Sequence, residues 1–85
     1  MNVYTNVIIN QYTAVAKGSR TVTLEMLIDF ENRKVTGDVV VKYHGEKRRF
    51  RCEDYAEATY WYGICKEWAD GDDSHADAIW EEESA

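Results

Sequence analysis

The sequence predicts an α+β domain, an antiparallel β-meander of three to four strands followed by two C-terminal helices packed on one face. Three observations predict it. From Thr21 to Phe30, apolar and polar residues alternate with period two, as in a half-buried strand. Segments rich in β-branched and aromatic residues on either side are separated by short clusters of turn-forming residues. At Cys52 the period changes, and apolar residues recur three and four positions apart, as on one face of a helix.

Taken in order, Val3 to Val15 (Val3, Tyr4, Thr5, Val7, Ile8, Ile9, Tyr12, Thr13, Val15) reads as the first strand, and it admits a bulge or bend near Asn10. Lys17-Gly18-Ser19-Arg20 is the turn that follows. In the second strand Val22, Leu24, Met26, Ile28 and Phe30 share one side, and Thr21, Thr23, Glu25 and Asp29 the other; only Leu27 is out of place. Glu31-Asn32-Arg33 turns the chain into a third strand, Val35 to Tyr43, which admits a break near Thr36-Gly37-Asp38. After His44-Gly45-Glu46, a fourth strand from Lys47 to Cys52 places Lys47, Arg49 and Arg51 on one face and Arg48, Phe50 and Cys52 on the other. Glu53, Asp54 and Glu57 then suit the positive end of a helix whose stripe is Ala58, Trp61, Ile64, Cys65 and Trp68. Asp70-Gly71-Asp72 stops it. Ser74, three residues ahead of Asp77, is expected to cap a short second helix carrying Ala76, Ile79 and Trp80 on one face.

The predicted core sets the side of the second strand that bears Val22, Leu24, Met26, Ile28 and Phe30 against that helical stripe. Eighty-five residues amount to one domain, 1–85, divided into a β-meander over 1–52 and an acidic helical part over 53–85. Eleven aromatic rings and 45% apolar residues are too much apolar surface for a disordered chain. The longest apolar runs are three residues, far short of the roughly 20 that span a bilayer, so no membrane partner is expected. The first residues lack a basic segment followed by an apolar one, and a cytoplasmic location is the default expectation.

No reaction is written in the motifs. His44, Cys52, Cys65 and His75 are the good soft-metal ligands, and none stands in a paired C-x-x-C or H-x-x-x-H element that would present half a site preformed. Cys52 and Cys65 read as small buried thiols. A nucleophilic Cys65 or serine would need a histidine base with a third group to orient it, and no spacing marks such a set. The five glycines are too scattered for a phosphate loop. The chain therefore reads as a non-enzymatic protein without a cofactor.

Charge is divided sharply. Residues 1–51 carry nine cations against five acids, a balance of +4, whereas residues 52–85 carry one cation, Lys66, against eleven acids, a balance of −10. Within Lys47-Arg48-Arg49-Phe50-Arg51, cations beside an aromatic suggest contacts to phosphate and base. The acidic half would repel a polyanion, and an edge strand guarded by charge accounts for the same residues, so direct nucleic-acid binding is disfavoured. Between Glu67 and Glu83 lie eight acids and no Lys or Arg, interleaved with Trp68 and Trp80. Such a surface forgoes the (i, i+4) ion pairs of an ordinary helix and adds repulsion, which points to a use for it. Carboxylates held in a fixed array can compete with nucleic acid for an Arg and Lys-lined groove, with aromatics as anchors.

In size and acidity, and in the run Glu67, Asp70, Asp72, Asp73, Asp77, Glu81, Glu82, Glu83 beside Trp68 and Trp80, the chain resembles small phage-encoded inhibitors, anti-CRISPR proteins and other DNA mimics. The resemblance implies an inhibitor or adaptor in the host cytoplasm. Its partner would be a basic nucleic-acid-binding protein or complex, met through Glu67, Trp68, Asp70, Asp72, Asp73, Asp77, Trp80, Glu81 and Glu82. The charge division also admits a self-associating module, a homodimer in which the basic strand (Lys47, Arg48, Arg49, Arg51) of one copy meets the acidic helices of another. The same four cations are the surface of the alternative nucleic-acid reading.

Overall fold

A computed structural model describes residues 3–15 and 18–80. Four strands, β1 (Tyr4–Ala14), β2 (Arg20–Asp29), β3 (Lys34–Tyr43) and β4 (Glu46–Cys52), form one antiparallel sheet in the order β1-β2-β3-β4. Two helices follow, α1 (Tyr55–Ala69) and the short α2 (Ala76–Trp80), joined through a 3-10 turn at Asp73–His75. This is the expected α+β meander with the helices on one face.

Register explains which residues reach the helices. Tyr12, Val22, Val41 and Arg48 lie in one cross-strand row, and Asn10, Leu24, Val39 and Phe50 in the next. Val22, Leu24, Val39 and Val41 from those rows pack with Cys52 against Ala58, Tyr62, Cys65, Trp68, Ala69 and Ile79. Burial of these apolar side chains, with about 1.5 to 3 kcal/mol from each of the valines, Leu24 and Ile79, is the main force joining the two layers. The bulge anticipated near Asn10 is present as a shift of register between Ile8 and Asn10. Tight turns close the later hairpins. His44 and Gly45, with φ of 51° and 78°, make a two-residue connection that leaves Glu46 to β4. At Asp29 the side-chain carboxylate accepts the amide of Asn32 at 2.8 Å and the backbone N–H groups of Glu31 and Asn32, and these bonds hold its pKa below the usual value.

Helix α1 is closed at both ends by its sequence. Asp54 accepts the Glu57 N–H at 2.8 Å as N-cap. At the other end Gly71, with φ of 111°, donates to the Trp68 carbonyl, and Asp72 donates to that of Glu67, the pairing of a Schellman stop. The residue that caps the 3-10 turn is Asp72, whose carboxylate accepts the Ser74 N–H; Ser74 was the expected cap, and it lies instead within the turn. The aspartate two residues earlier thus satisfies the N–H of Ser74 itself, at the start of the turn.

Three further sequence readings are revised. The third strand runs unbroken through Thr36-Gly37-Asp38, because Gly37 sits where α1 crosses the sheet: a Cβ there would lie 2.3 Å from that of Ala58. The glycine marks close approach of a helix, not a break. Since α1 begins over Gly37, the distal ends of β2 and β3 extend beyond it. Phe30 is accordingly 56% exposed, Met26 and Ile28 are half-buried, and neither joins the core that was expected to hold all three. The helical stripe is also rotated. Tyr62 and Ala69 are buried with Ala58, Cys65 and Trp68, whereas Trp61 and Ile64 flank the core half-buried.

Gly37→Ala should destabilise the fold by about 1 to 3 kcal/mol through overpacking against Ala58. In urea titrations, Ala58→Gly should relieve part of that loss at a helix cost of about 1 kcal/mol. Strict additivity of the two substitutions would show that the contact between them is not the cause.

Candidate functional site

All eight carboxylates between Glu53 and Asp77 (Glu53, Asp54, Glu57, Glu67, Asp70, Asp72, Asp73, Asp77) are exposed, and Lys66 is the one Lys or Arg among them. The exposed charge of the helical layer is therefore predominantly negative. These carboxylates are not equivalent, since several already hold the fold together. Asp54 and Asp72 are caps. The hydroxyl of Tyr12 on β1 donates to Asp70, a bond that raises the phenol pKa because the carboxylate favours the protonated ring. Hydrogen bonding by its own Ser74 similarly lowers the pKa of Asp72. Asp73 pairs at 2.9 Å with Arg20, the first residue of β2. Glu53, Glu57, Glu67 and Asp77 make no side-chain hydrogen bond or ion pair among the described residues.

Trp68 cannot anchor a partner: it is 2% exposed and forms the centre of the core. Its ring meets Tyr43 edge-on at 5.8 Å and tilts against Trp80 at 5.5 Å. The apolar periodicity of α1 placed Trp68 inside, and the acidic residues around it suggested a surface role that its position on the stripe excludes. Trp80 is half-buried and lines a cavity of about 420 Å³ with Glu46, Lys47 and Arg48. Glu81 and Glu82 lie outside the described residues.

Arg20 was not singled out by its sequence context. Its side chain enters the apolar side of the sheet, donates to the Trp68 carbonyl at 2.7 Å and to Asp73 at 2.9 Å, and places its guanidinium carbon 4.7 Å from the Trp68 ring and 4.9 Å from that of Tyr43. Burial is the largest single influence and disfavours its charge, but the interactions with Asp73 and Tyr43 together exceed it and the guanidinium pKa is raised. The available signal was parity: Arg20 shares the side of Val22 and Leu24.

On the helix-free face, Arg49 reaches from β4 across β3 to β2. It donates to Asp38 at 2.8 Å and to Glu25 at 3.1 Å, and those two bonds, Glu25 first, raise its pKa. Asp38 is 2% exposed, and Arg51 approaches it at 3.9 Å. The strand thus places Lys47, Arg49 and Arg51 on the expected face, with Arg49 neutralised from within. On the other side Arg48 lies over Phe50 at 5.1 Å, and Phe50 stacks on Trp61 with an interplanar angle of 13°. The aromatic that could have received a base is already stacked.

Cys52 and Cys65 are both buried and free, and desolvation pushes their thiols up to about 11 and about 12. Among the described residues no group of three or more His, Cys, Asp or Glu side chains is arranged to hold a metal.

Two expectations follow from these contacts. Arg20→Ala should cost about 2 to 4 kcal/mol by chemical unfolding, for it removes a charge-assisted bond to a buried carbonyl together with two ring contacts. Asp73→Asn should cost under about 1 kcal/mol, since its carboxylate is largely solvated. Equal losses would place the energy in the ion pair. The thiols should react with Ellman's reagent near neutral pH only at the rate of unfolding. Because their folded pKa values exceed the ordinary thiol value of about 8.5, they contribute stability that is complete below that pH and is lost as pH rises toward 11 and 12. Rapid labelling of the native protein would contradict this burial.

Comparison of the chain with protein-family models, with curated proteins and with solved structures finds no match to any of them.

Proposed function

We propose that this protein is a non-enzymatic inhibitor or adaptor that docks its acidic helical side on a cationic surface of a nucleic-acid-handling protein, in the manner of the DNA mimics it resembles. The observation that carries this reading is the exposure of eight carboxylates from the two residues before α1 through α1, the connection and α2, against one cation. On the helix-free face of the sheet Arg49 is neutralised by Glu25 and Asp38, so that cation does not oppose the field of the acidic layer. Opposite charge on the partner would steer encounter, and the contact would weaken as salt shortens the screening length from about 8 Å at physiological ionic strength.

The contact surface is centred on Glu67, Asp70, Asp72, Asp73 and Asp77, with Glu53 and Glu57 continuing it toward the start of α1. Its aromatic component differs from the sequence expectation. Trp80 is half-buried and Trp68 fully so, leaving Tyr60, exposed on α1, as the aromatic available on that layer. The nucleic-acid alternative through Lys47, Arg48, Arg49 and Arg51 has less support, given that Arg49 is held by Glu25 and Asp38 and Phe50 is stacked on Trp61.

The test separates binding charge from structural charge. Asp54, Asp70, Asp72 and Asp73 each have a partner in the fold, so their amides would confound binding with stability. Glu53→Gln, Glu57→Gln, Glu67→Gln and Asp77→Asn together should leave the thermal midpoint nearly unchanged. A partner captured by the unaltered protein from its native host, then purified, should bind this variant at least tenfold more weakly at low salt. Undiminished affinity would overturn the acidic-surface mechanism.

A further inference from the structure

The two edges of the sheet are protected very differently. β4 has Lys47, Arg48, Arg49 and Arg51 among its seven residues, and such a row of cations discourages pairing with another chain. β1, at the opposite edge, runs eleven residues with neither a charge nor a proline. Its exposed side chains include Tyr4 (51%), Val7 (39%) and Ile8 (60%). A long, uncharged edge with exposed apolar side chains is a template for another strand.

The backbone says which groups are free. The Phe30 N–H donates to the Val3 carbonyl at 3.0 Å, so Val3, and with it Thr5 and Val7, directs its peptide groups toward β2. Alternation then turns the N–H and C=O groups of Tyr4, Asn6 and Ile8 outward. The register shift after Ile8 ends this regular stretch.

We propose that Tyr4–Ile8 is a homodimer interface in which two copies pair antiparallel about a twofold axis at Asn6, joining their sheets into one of eight strands. In this register Asn6 lies opposite the second Asn6, and Tyr4 lies opposite Ile8 at both ends, so the three outward-facing residues exchange backbone hydrogen bonds across the axis. Tyr4 and Ile8 form an aromatic and β-branched cross-strand pair, and Thr5 meets Val7 on the other face. A second copy is the occupant that the edge fits best, because the segment is complementary to itself and brings no charge against its own image. The cationic edge offers no such symmetry: β4 against β4 would oppose like charges, and β4 against β1 would leave a free edge at each end and grow without closing. This interface is separate from the acidic helical surface and does not depend on it.

Sedimentation velocity and light scattering from low micromolar to near-millimolar protein should show a shift from 9.9 kDa toward twice that mass. High salt should leave the dimer intact, in contrast to an association of the basic strand with acidic helices. Asn6→Lys puts two like charges at the axis and Asn6→Asp does the same with the opposite sign; each should stay monomeric while keeping the native circular dichroism spectrum. An equimolar mixture of the two should dimerise again, a result that no folding defect could produce. An unaltered protein that is monomeric at near-millimolar concentration would overturn the proposal. So would a dimer that persists in Asn6→Lys, or one that salt dissolves.

Discussion

The assembly of the two layers turns on Arg20. It is the first residue of β2, yet its guanidinium lies within the apolar layer, where it joins the carbonyl of Trp68, the carboxylate of Asp73 and the rings of Trp68 and Tyr43. Each partner belongs to a different element: the last turn of α1, the 3-10 turn after it, and the end of β3. A carbonyl at the C-terminus of a helix carries partial negative charge and lacks a donor of its own helix, so a cation is the favoured group there. Gly71 supplies the other hydrogen bond to the same oxygen. The α1 stop is thereby fixed to the sheet, which in turn sets where α2 places Ile79 into the core.

That arrangement divides the acidic residues into two sets with different costs. Asp54, Asp70, Asp72 and Asp73 terminate helices or bind β1 and β2, and they account for part of the acidity by local structure alone. Glu53, Glu57, Glu67 and Asp77 have no such role among the described residues. Four unpaired carboxylates on a layer with one cation raise its repulsion without repaying it through contacts, and this is the part of the acidity that binding would explain.

Periodicity made the architecture legible, since alternation identifies strands and the change at Cys52 identifies a helix irrespective of tertiary context. It placed Val22, Leu24, Ala58, Cys65 and Trp68 correctly inside. What it could not supply was the length of overlap between the layers. Phe30 and Ile28 have the same pattern as Leu24, and they differ only because α1 starts over Gly37 and leaves their end of the sheet uncovered. Tyr62 was missed for a related reason: the polar hydroxyl masked a ring lying four residues after Ala58 and three before Cys65 on the buried stripe. Its hydroxyl has no hydrogen-bond partner among the described residues, and burial raises its pKa. Glu25, Asp38 and Arg49 were invisible as a set because ion pairs between strands depend on register, which side-chain alternation leaves open by two residues at a time.

The same register that buries Asp38 beneath Arg49 gives the molecule its electrical layout. Neutralisation of the central part of the helix-free face leaves the acidic helical layer as the dominant field, with cations concentrated toward β4 and none on β1. Pairing through β1 about an axis normal to the sheet would keep both helical layers on the same side. The two acidic surfaces would then face a partner together, and a second contact made while the first holds would benefit from a high effective concentration. Dimerisation at a neutral edge and recognition by a charged face are therefore compatible in one fold: the segment Tyr4–Ile8 that would join copies contributes no charge, and the bond between β1 and the acidic layer lies nearer the other end of the strand, where Tyr12 donates to Asp70.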